Sequence, residues 1–367
     1  MPVEFVGALA AQNQFLGPPS GGQNIDLDFL RDLARVHENA GFDRVLMLAG
    51  GESIVATGFA ASVTERLGFM IPFRPGPLSP LHGAKALAAL DHVTKGRIRV
   101  HAITGITAEP GLGDFLTDKD ERYARTSEYL DVLRQAWTSD APFDHDGKYY
   151  QLRNVYSPIK PYQQPHPPVS FGGSSDAAYH VAARHCDLYA LWAEPLSDVK
   201  EQIGKLKAAA AAIGKPTPRV SLSARLIIGK TEAQAWEKAH EIAEKLASNR
   251  RNAAPNPLFH GVQGTGTKRL LAAAERGDRH DKYLWFGTAT AVGATHDSTS
   301  LVGTPDQIVE ALLDYYDIGV TTFLNRGYEP IYDAVDYGRY IIPAVREEVR
   351  RREEAAAKTG APALQTA

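Results

Sequence analysis

The sequence predicts an α/β protein, a (β/α)8 TIM barrel with insertions. Two patterns predict it. Short apolar runs of buried-strand character alternate with amphipathic stretches along most of the chain, and eight such runs are each followed, sooner or later, by a helix. The third observation is length: 367 residues fit one barrel, since barrels run from about 200 to over 400 residues with insertions. A doubly wound open sheet is the alternative, because counting strands does not prove closure.

In chain order, Val3 to Ala10, Arg44 to Ala49, Leu67 to Arg74 and Ile98 to Gly105 read as strands rich in Val, Ile, Leu and Phe. Between them, Leu27, Leu30, Leu33 and Ala34 form an apolar stripe opposite Asp28, Arg31, Asp32 and Arg35. Helical patterns also cover about 53–64 and 81–93. The second half predicts strands at Pro168 to Gly173, Leu188 to Ala193, Arg219 to Gly229 and Thr321 to Gly327. It predicts helices at 175–185, 197–213, 232–246, 305–317 and 330–352. Gly41, Gly214 and Gly319 each follow a helical pattern, as helix C-caps do.

The expected organisation is one barrel domain over residues 1–352. Its insertions lie at about 109–120, with a helix from about 121 to 138 after it, at 143–152 and at 249–300. The second has hairpin chemistry at His145-Asp146-Gly147-Lys148. The third mixes Arg250, Arg251, Lys268 and Arg269 with Gly, Thr and Pro, and is expected to be a mobile lid. Residues 353–367 are expected to form a flexible tail.

Composition excludes several functions. With Lys plus Arg at 40 against Asp plus Glu at 43, there is no basic excess for nucleic-acid binding. One cysteine, Cys186, rules out an intrachain disulfide and a cysteine-rich metal site. The amino terminus lacks the pattern of a signal peptide, and no run approaches the roughly 20 apolar residues of a membrane span. The expectation is a cytoplasmic protein. The 12 histidines show no zinc-helix spacing, and neither a Gly-x-Ser-x-Gly elbow nor a Walker loop occurs.

In a closed barrel the active site lies at the carboxyl ends of the strands. The candidates are therefore Gln12 and Asn13, Gly50 to Ser53, Arg74, His101 and Thr104, Gly172 to Ser175, Trp192 and Glu194, Arg225, and Tyr328. Phe171-Gly172-Gly173-Ser174-Ser175 runs from strand into helix. Its glycines allow backbone N–H groups to approach an anion, and the helix start and two hydroxyls add donors. An ordinary turn with a serine N-cap is the competing reading. Arg225 interrupts an apolar strand, so its guanidinium must meet an anion, carbonyls or a structural carboxylate. Trp192 and Tyr328 read as pocket walls or as core aromatics.

Laid out in order, these residues resemble the bacterial luciferase-like flavin monooxygenases, in particular the alkanesulfonate monooxygenase branch. The resemblance spans nearly the whole chain. It rests on Leu90-Asp-His-Val-Thr-Lys-Gly-Arg97, Ile103-Thr-Gly105, Asp120-Glu-Arg-Tyr123, Gln164 to Asp176, Asp187 to Pro195, Leu301-Val-Gly-Thr304 and Gly327-Tyr328. It implies a luciferase-like barrel using reduced FMN as a co-substrate, supplied by a separate NAD(P)H-dependent flavin reductase. In that branch reduced flavin and O2 oxidise an organosulfonate, giving sulfite and an aldehyde. By the resemblance, the catalytic residues are Arg225, Tyr328, Trp192 and Ser53, the last in place of a cysteine. FMN would be held by His101, Thr104, Tyr123, Gly173, Ser174 and Ser175, with Arg122 assisting. Substrate would meet Gln12, Trp192, Arg225 and His296.

Departures from the branch concern the substrate. Three family histidines are replaced by Gln12, Ile227 and Pro330, and the mobile-loop arginine has no counterpart in 292–300, which holds His296. The implied function is a two-component FMNH2-dependent monooxygenase acting on an organosulfonate or related organosulfur compound. The other readings are a flavin monooxygenase with a non-sulfur substrate, a deazaflavin-dependent oxidoreductase, and a flavin-binding protein without turnover. The family also implies a homo-oligomer, a dimer or tetramer. No metal is expected.

Overall fold

The structure, a computed structural model, describes residues 3–11, 25–48, 53–105, 107–252, 264–294 and 298–359. Strand β1 (Glu4–Ala10) precedes α1 (Leu27–Asn39), β2 (Arg44–Leu48) precedes α2 (Ser53–Ser62), and β3 (Gly68–Phe73) precedes α3 (Pro80–Val93). After β4 (Ile98–Ala102) and α4 (Lys119–Thr138) comes a hairpin of β5 (Phe143–Asp146) and β6 (Gln151–Val155). Then follow β7 (Val169–Gly172), α5 (Asp176–His185), β8 (Leu188–Trp192), α6 (Leu196–Ala212), β9 (Arg219–Ile228) and α7 (Glu232–Asn252). Next are α8 (Thr265–Arg276), β10 (Arg279–His280), β11 (Leu284–Trp285), α9 (Gly287–Ala291), β12 (Ser300–Gly303) and α10 (Pro305–Asp317). The chain ends with β13 (Val320–Arg326), α11 (Pro330–Asp336) and α12 (Ile342–Thr359), the last two joined by a π-turn at Tyr337–Ile341.

The sheet closes. β1 pairs in parallel with β2 and β13, and the ladder continues through β3, β4, β7 and β8 to β9, which pairs with β13. Closure settles the open-sheet alternative against it. All eight predicted strands are present, with ends within about three residues of expectation. The helix stops are also as read: Gly41, Gly214 and Gly319 take φ of +83°, +65° and +108°, the left-handed region that glycine enters without a Cβ clash.

Register assigns the inward face, because paired residues on parallel strands point the same way. At the amino-terminal end the inward positions are Glu4, Arg44, Gly68, Arg99 and Arg219. Glu4 lies 2.9 Å from Arg44 and 3.0 Å from Arg99, with Arg219 at 3.9 Å. Burial opposes ionisation of Glu4, but Arg99 and Arg44 together hold its carboxyl below the ordinary range. The middle of the barrel is apolar, with Val6, Met70 and Leu324 packed together and Leu46 against them. The carboxyl-terminal end mixes small side chains with a few large polar and aromatic ones, and that difference positions the site.

The insertions depart from expectation in one respect. The segment 249–300 is not irregular among its described residues. β9 outruns the barrel: its last four residues pair with β12, and β11 and β10 extend that edge antiparallel. Helices α8 and α9 fill the rest, and α7 continues to Asn252. The apolar register Ile227 to Val302 explains why: these residues bury against Ala235, Ala239 and Trp285 in a separate cluster. The 143–152 hairpin forms as read, and Glu128 of α4 accepts the Tyr149 and Tyr150 N–H groups at 3.1 and 2.8 Å. In 109–120, Asp114 receives a two-pronged Arg125 pair at 2.9 and 2.8 Å. The carboxyl-terminal helix runs to Thr359, beyond the expected start of the tail at residue 353.

Two buried histidines, His37 and His185, and the half-buried His101 make stability depend on pH. Burial holds His37 down at about 4 and His185 at about 3, with Arg134 adding to the latter; burial and then Arg99 hold His101 at about 4. An unfolded imidazole titrates near 6.5, so the unfolded chain takes up protons first. The stability from these neutral rings is therefore full above about pH 7 and is lost as pH falls from 6.5 toward 4. The slope is about 1.4 kcal/mol per pH unit for each ring. Glu194 and Asp333, raised chiefly by burial, act in the opposite sense at the acid end. Urea midpoints should be level above pH 7 and fall steeply between 6.5 and 4.5. A midpoint unchanged from pH 7 to 5 would contradict the account of all three as neutral rings.

Candidate active site at the barrel mouth

At the carboxyl-terminal end the inward positions are Ala8 and Ala10 on β1, Leu48 on β2, Pro72 on β3 and His101 on β4. Gly172 on β7, Ala190 and Trp192 on β8, Ser223 and Arg225 on β9, and Leu324 and Arg326 on β13 complete the ring. Six of these twelve, Ala8, Ala10, Pro72, Gly172, Ala190 and Ser223, are small, which gives room on that part of the ring. A planar ligand needs such room, together with a few placed polar groups.

One wall is the strand-to-helix turn that the sequence singled out. β7 turns through Gly172 and Gly173 into α5, and Ser175 is the N-cap, accepting from the Ala178 N–H at 3.4 Å. The turn is therefore a serine-capped helix start that also demands a glycine before it. A Cβ at Gly173 would lie 2.6 Å from the Ala178 Cβ and 3.3 Å from the Tyr123 hydroxyl. Tyr189 Oη donates to the Gly173 carbonyl at 2.9 Å. Tyr123 hydrogen bonds to Ser175, and burial raises its phenol above the usual range.

Sequence reasoning missed Lys119 here. Its ammonium sits 5.8 Å from the centre of the Tyr123 ring and contacts the Thr265 hydroxyl. Burial lowers its pKa, and Arg122 and Lys268 push it the same way against Asp120. Such a cation, one residue past an Asp118 N-cap, carries no motif by which sequence alone finds it. Arg122 itself is turned to the loop, donating to the Leu116 and Thr117 carbonyls.

The His101 ring lies on the inner wall, its Nδ1 3.0 Å from Ser170 Oγ. Held near 4, it is neutral at physiological pH. Thr104 is buried against α4, its hydroxyl 3.3 Å from that of Thr126. Ser53 begins α2 and donates to the Pro72 carbonyl at 3.1 Å, which ties that helix to the end of β3. Arg74 is engaged by Glu109 and the Thr107 carbonyl.

On the opposite wall Arg225 is 6% exposed, with its backbone N–H on the Thr299 carbonyl at 3.0 Å and Nη1 3.4 Å from Ser223 Oγ. Tyr328 comes to the same end of β9, but inside the apolar cluster of Ile227, Trp285, Val292 and Val302. Two of the replaced family histidines are thus explained. Ile227 is core of the β9 extension, and Pro330 is the buried first residue of α11. Gln12, Asn13, Gly50 to Glu52 and His296 lie outside the described residues.

The start of α8 roofs this space. A Cβ at Gly266 would lie 3.5 Å from the Trp192 ring and 3.8 Å from Ser174 Oγ. The helix is fastened by Arg269, whose Nε and Nη2 reach the Glu194 carboxylate at 2.9 and 2.8 Å. Arg269 of the expected lid is thus an internal ion-pair partner. Arg250 packs against Gly293, not into the mouth. Among the described residues, no group of three or more His, Cys, Asp and Glu side chains is arranged to hold a metal ion, and no helix is long and apolar enough to cross a membrane.

Comparison with known proteins follows this geometry. A riboflavin lyase (RcaE), solved with modified FMN and riboflavin, superposes with a TM-score of 0.78 at 19% identity, over 95% of this chain and 92% of that one. The EDTA monooxygenase EmoA from Chelativorans sp. BNC1 gives 0.73 at 19% identity, over 95% and 94%. A tetrahydromethanopterin reductase from Methanopyrus kandleri, which depends on a deazaflavin coenzyme, gives 0.66 at 18%, over 94% and 99%. At these identities the likeness is one of fold. Residues 6–322 match the family model of the luciferase-like monooxygenases, and with most of the chain matched and the barrel closed, the protein belongs to that family.

Proposed function

We propose that the chain is the oxygenase of a two-component system, using FMNH2 and O2 to oxidise and desulfonate an organosulfonate or related organosulfur compound. Sulfite and an aldehyde are the products, and an NAD(P)H-dependent flavin reductase supplies the reduced flavin. The observation that carries this reading is the pairing of two walls across a mouth partly lined by small residues. One wall is the α5 start with Gly173, Ser174, Ser175 and Tyr123; the other is Arg225 at the end of β9.

The donor set fits FMN. Ser174, Ser175 and the α5 N-terminus suit its phosphate, with Lys119 and Tyr123 beside them, and the inner wall at His101 and Pro72 suits a flat ring system. When bound, the flavin supplies the electrons that activate oxygen. The protein's part is electrostatic and positional. Arg225 provides a fixed positive charge on a rigid strand, which needs no reorganisation as negative charge develops nearby. Neutral His101 offers one ring nitrogen as donor and the other as acceptor. The start of α8 packs against Trp192 and Ser174 and would limit water there. A deazaflavin reading is favoured by the likeness to the reductase and to an F420-dependent secondary alcohol dehydrogenase; the alternative substrates rest on Ile227 and Pro330 standing where the branch has histidines.

Two outcomes are expected. Ser174→Ala with Ser175→Ala should weaken FMN binding about 10- to 100-fold, the loss of two phosphate hydrogen bonds; an unchanged titration moves the phosphate elsewhere. With FMN, NAD(P)H and a generic flavin reductase, a panel of organosulfonates should yield sulfite. Arg225→Lys should retain part of that turnover, and Arg225→Ala should lose about 10²–10³-fold in kcat with its melting temperature kept. A folded, flavin-binding Arg225→Ala protein with near wild-type turnover would refute the role of this arginine.

A further inference from the structure

We infer that Ser170 is a positioning residue: it fixes the His101 ring in the form protonated at Nδ1, so that Nε2 offers the mouth a hydrogen-bond acceptor that favours reduced over oxidised flavin. The inference deepens the proposed function and rests on it for the flavin, though not for the form of the ring. Ser170 on β7 and His101 on β4 are partners in register. Both point inward, because Gly172, two residues beyond Ser170, is in register with the inward Ala190. Ser170 is fully buried, whereas His101 is half-buried and shows part of its ring to the mouth.

Counting protons decides the form of the ring. A serine hydroxyl has one proton to give and lone pairs with which to accept. Ser170 Oγ gives its proton to the Val100 carbonyl at 3.3 Å. The same Oγ lies 3.0 Å from His101 Nδ1, so the proton in that contact comes from the ring. The separation suits an N–H···O bond, which centres at about 2.9–3.0 Å. The buried hydroxyl is then used both as donor and as acceptor, as buried polar groups are. The reverse arrangement, with Ser170 donating to Nδ1, gives up the bond to Val100. Burial and then Arg99, two residues earlier on the same face, hold the ring at about 4, so it carries one proton at neutral pH. Nε2 is left with its lone pair, and among the described residues no donor reaches it. Reduced FMN carries a ring N–H at N5, where oxidised FMN has a lone pair, so an acceptor on this wall attracts the first and repels the second. β4 adjoins β7, whose end turns into the α5 start proposed for the phosphate, so one ligand can meet both.

The test reads the ring directly and then the flavin. Nitrogen NMR of the flavin-free, histidine-labelled protein, with the His101 signals identified by their loss in His101→Gln, should show Nδ1 protonated and Nε2 bare at neutral pH. Ser170→Ala should move the ring toward the Nε2–H form, and Ser170→Thr, which keeps a hydroxyl, should restore the Nδ1–H form. In anaerobic titrations, the preference for FMNH2 over FMN should fall about three- to tenfold in Ser170→Ala, the worth of one hydrogen bond, and recover in Ser170→Thr. A wild-type ring protonated at Nε2 overturns the inference whether or not any variant folds. So does a Ser170→Ala protein that keeps the full preference, or one in which both flavin forms weaken equally, which would make Ser170 a packing residue. If the ring is protonated at Nδ1 while neither form of FMN binds, the proposed function fails and the fixing of the ring by Ser170 stands.

Discussion

One carboxylate inside the barrel carries an unusual share of the architecture. Glu4 sits on the axis at the amino-terminal end and faces Arg44, Arg99 and Arg219, which come from three other strands. Removing one partner of a buried ionic cluster typically costs about 3–5 kcal/mol, because the remaining charges stay buried without compensation. Here the loss of Glu4 would leave three guanidinium groups facing one another. The cluster thus ties β1, β2, β4 and β9 into a single register. Its excess positive charge also reaches upward: Arg99 lies two residues before His101 on the same inward face and helps to hold that ring neutral. Closure below and the protonation state above are linked through one strand.

The layers then divide labour along the axis. Charges seal the lower end, Val6, Met70 and Leu324 fill the middle, and small residues give room on part of the upper end. Because β9 continues past the barrel, its tip builds a second small core around Ile227 and Trp285, and Tyr328 is held there. The same extension brings α8 over Trp192 and Ser174, fastened by Arg269 to a Glu194 that is 1% exposed. The helix is further held by Arg276 on Asp198, by Thr267 on the Ala294 carbonyl and by Leu270 and Ala273 in the core.

Much of this was legible in the sequence. Strand positions followed from short apolar runs, and Ser175 and Gly173 from a strand-to-helix turn whose chemistry is local, whereas closure itself, which strand counting does not prove, comes from β13 pairing with both β1 and β9. What was not legible is long-range. The composition of 249–300 reads as loop, yet its described residues form helices and added strands, because Ile227 and Val302 find each other across β9 and β12. Arg269 reads as a free cation until the fold brings Glu194 to it across 75 residues. Lys119 shows no motif, and its place beside Tyr123 and Thr265 comes from packing that pairwise spacing does not encode.

The central claim is that the mouth is built for a reduced flavin mononucleotide. An anaerobic titration of the protein with FMNH2, FMN and a reduced deazaflavin, compared side by side, tests it most directly. The account predicts that FMNH2 binds more tightly than FMN and more tightly than the deazaflavin. Equal affinity for the two FMN redox states, or preference for the deazaflavin, would contradict it.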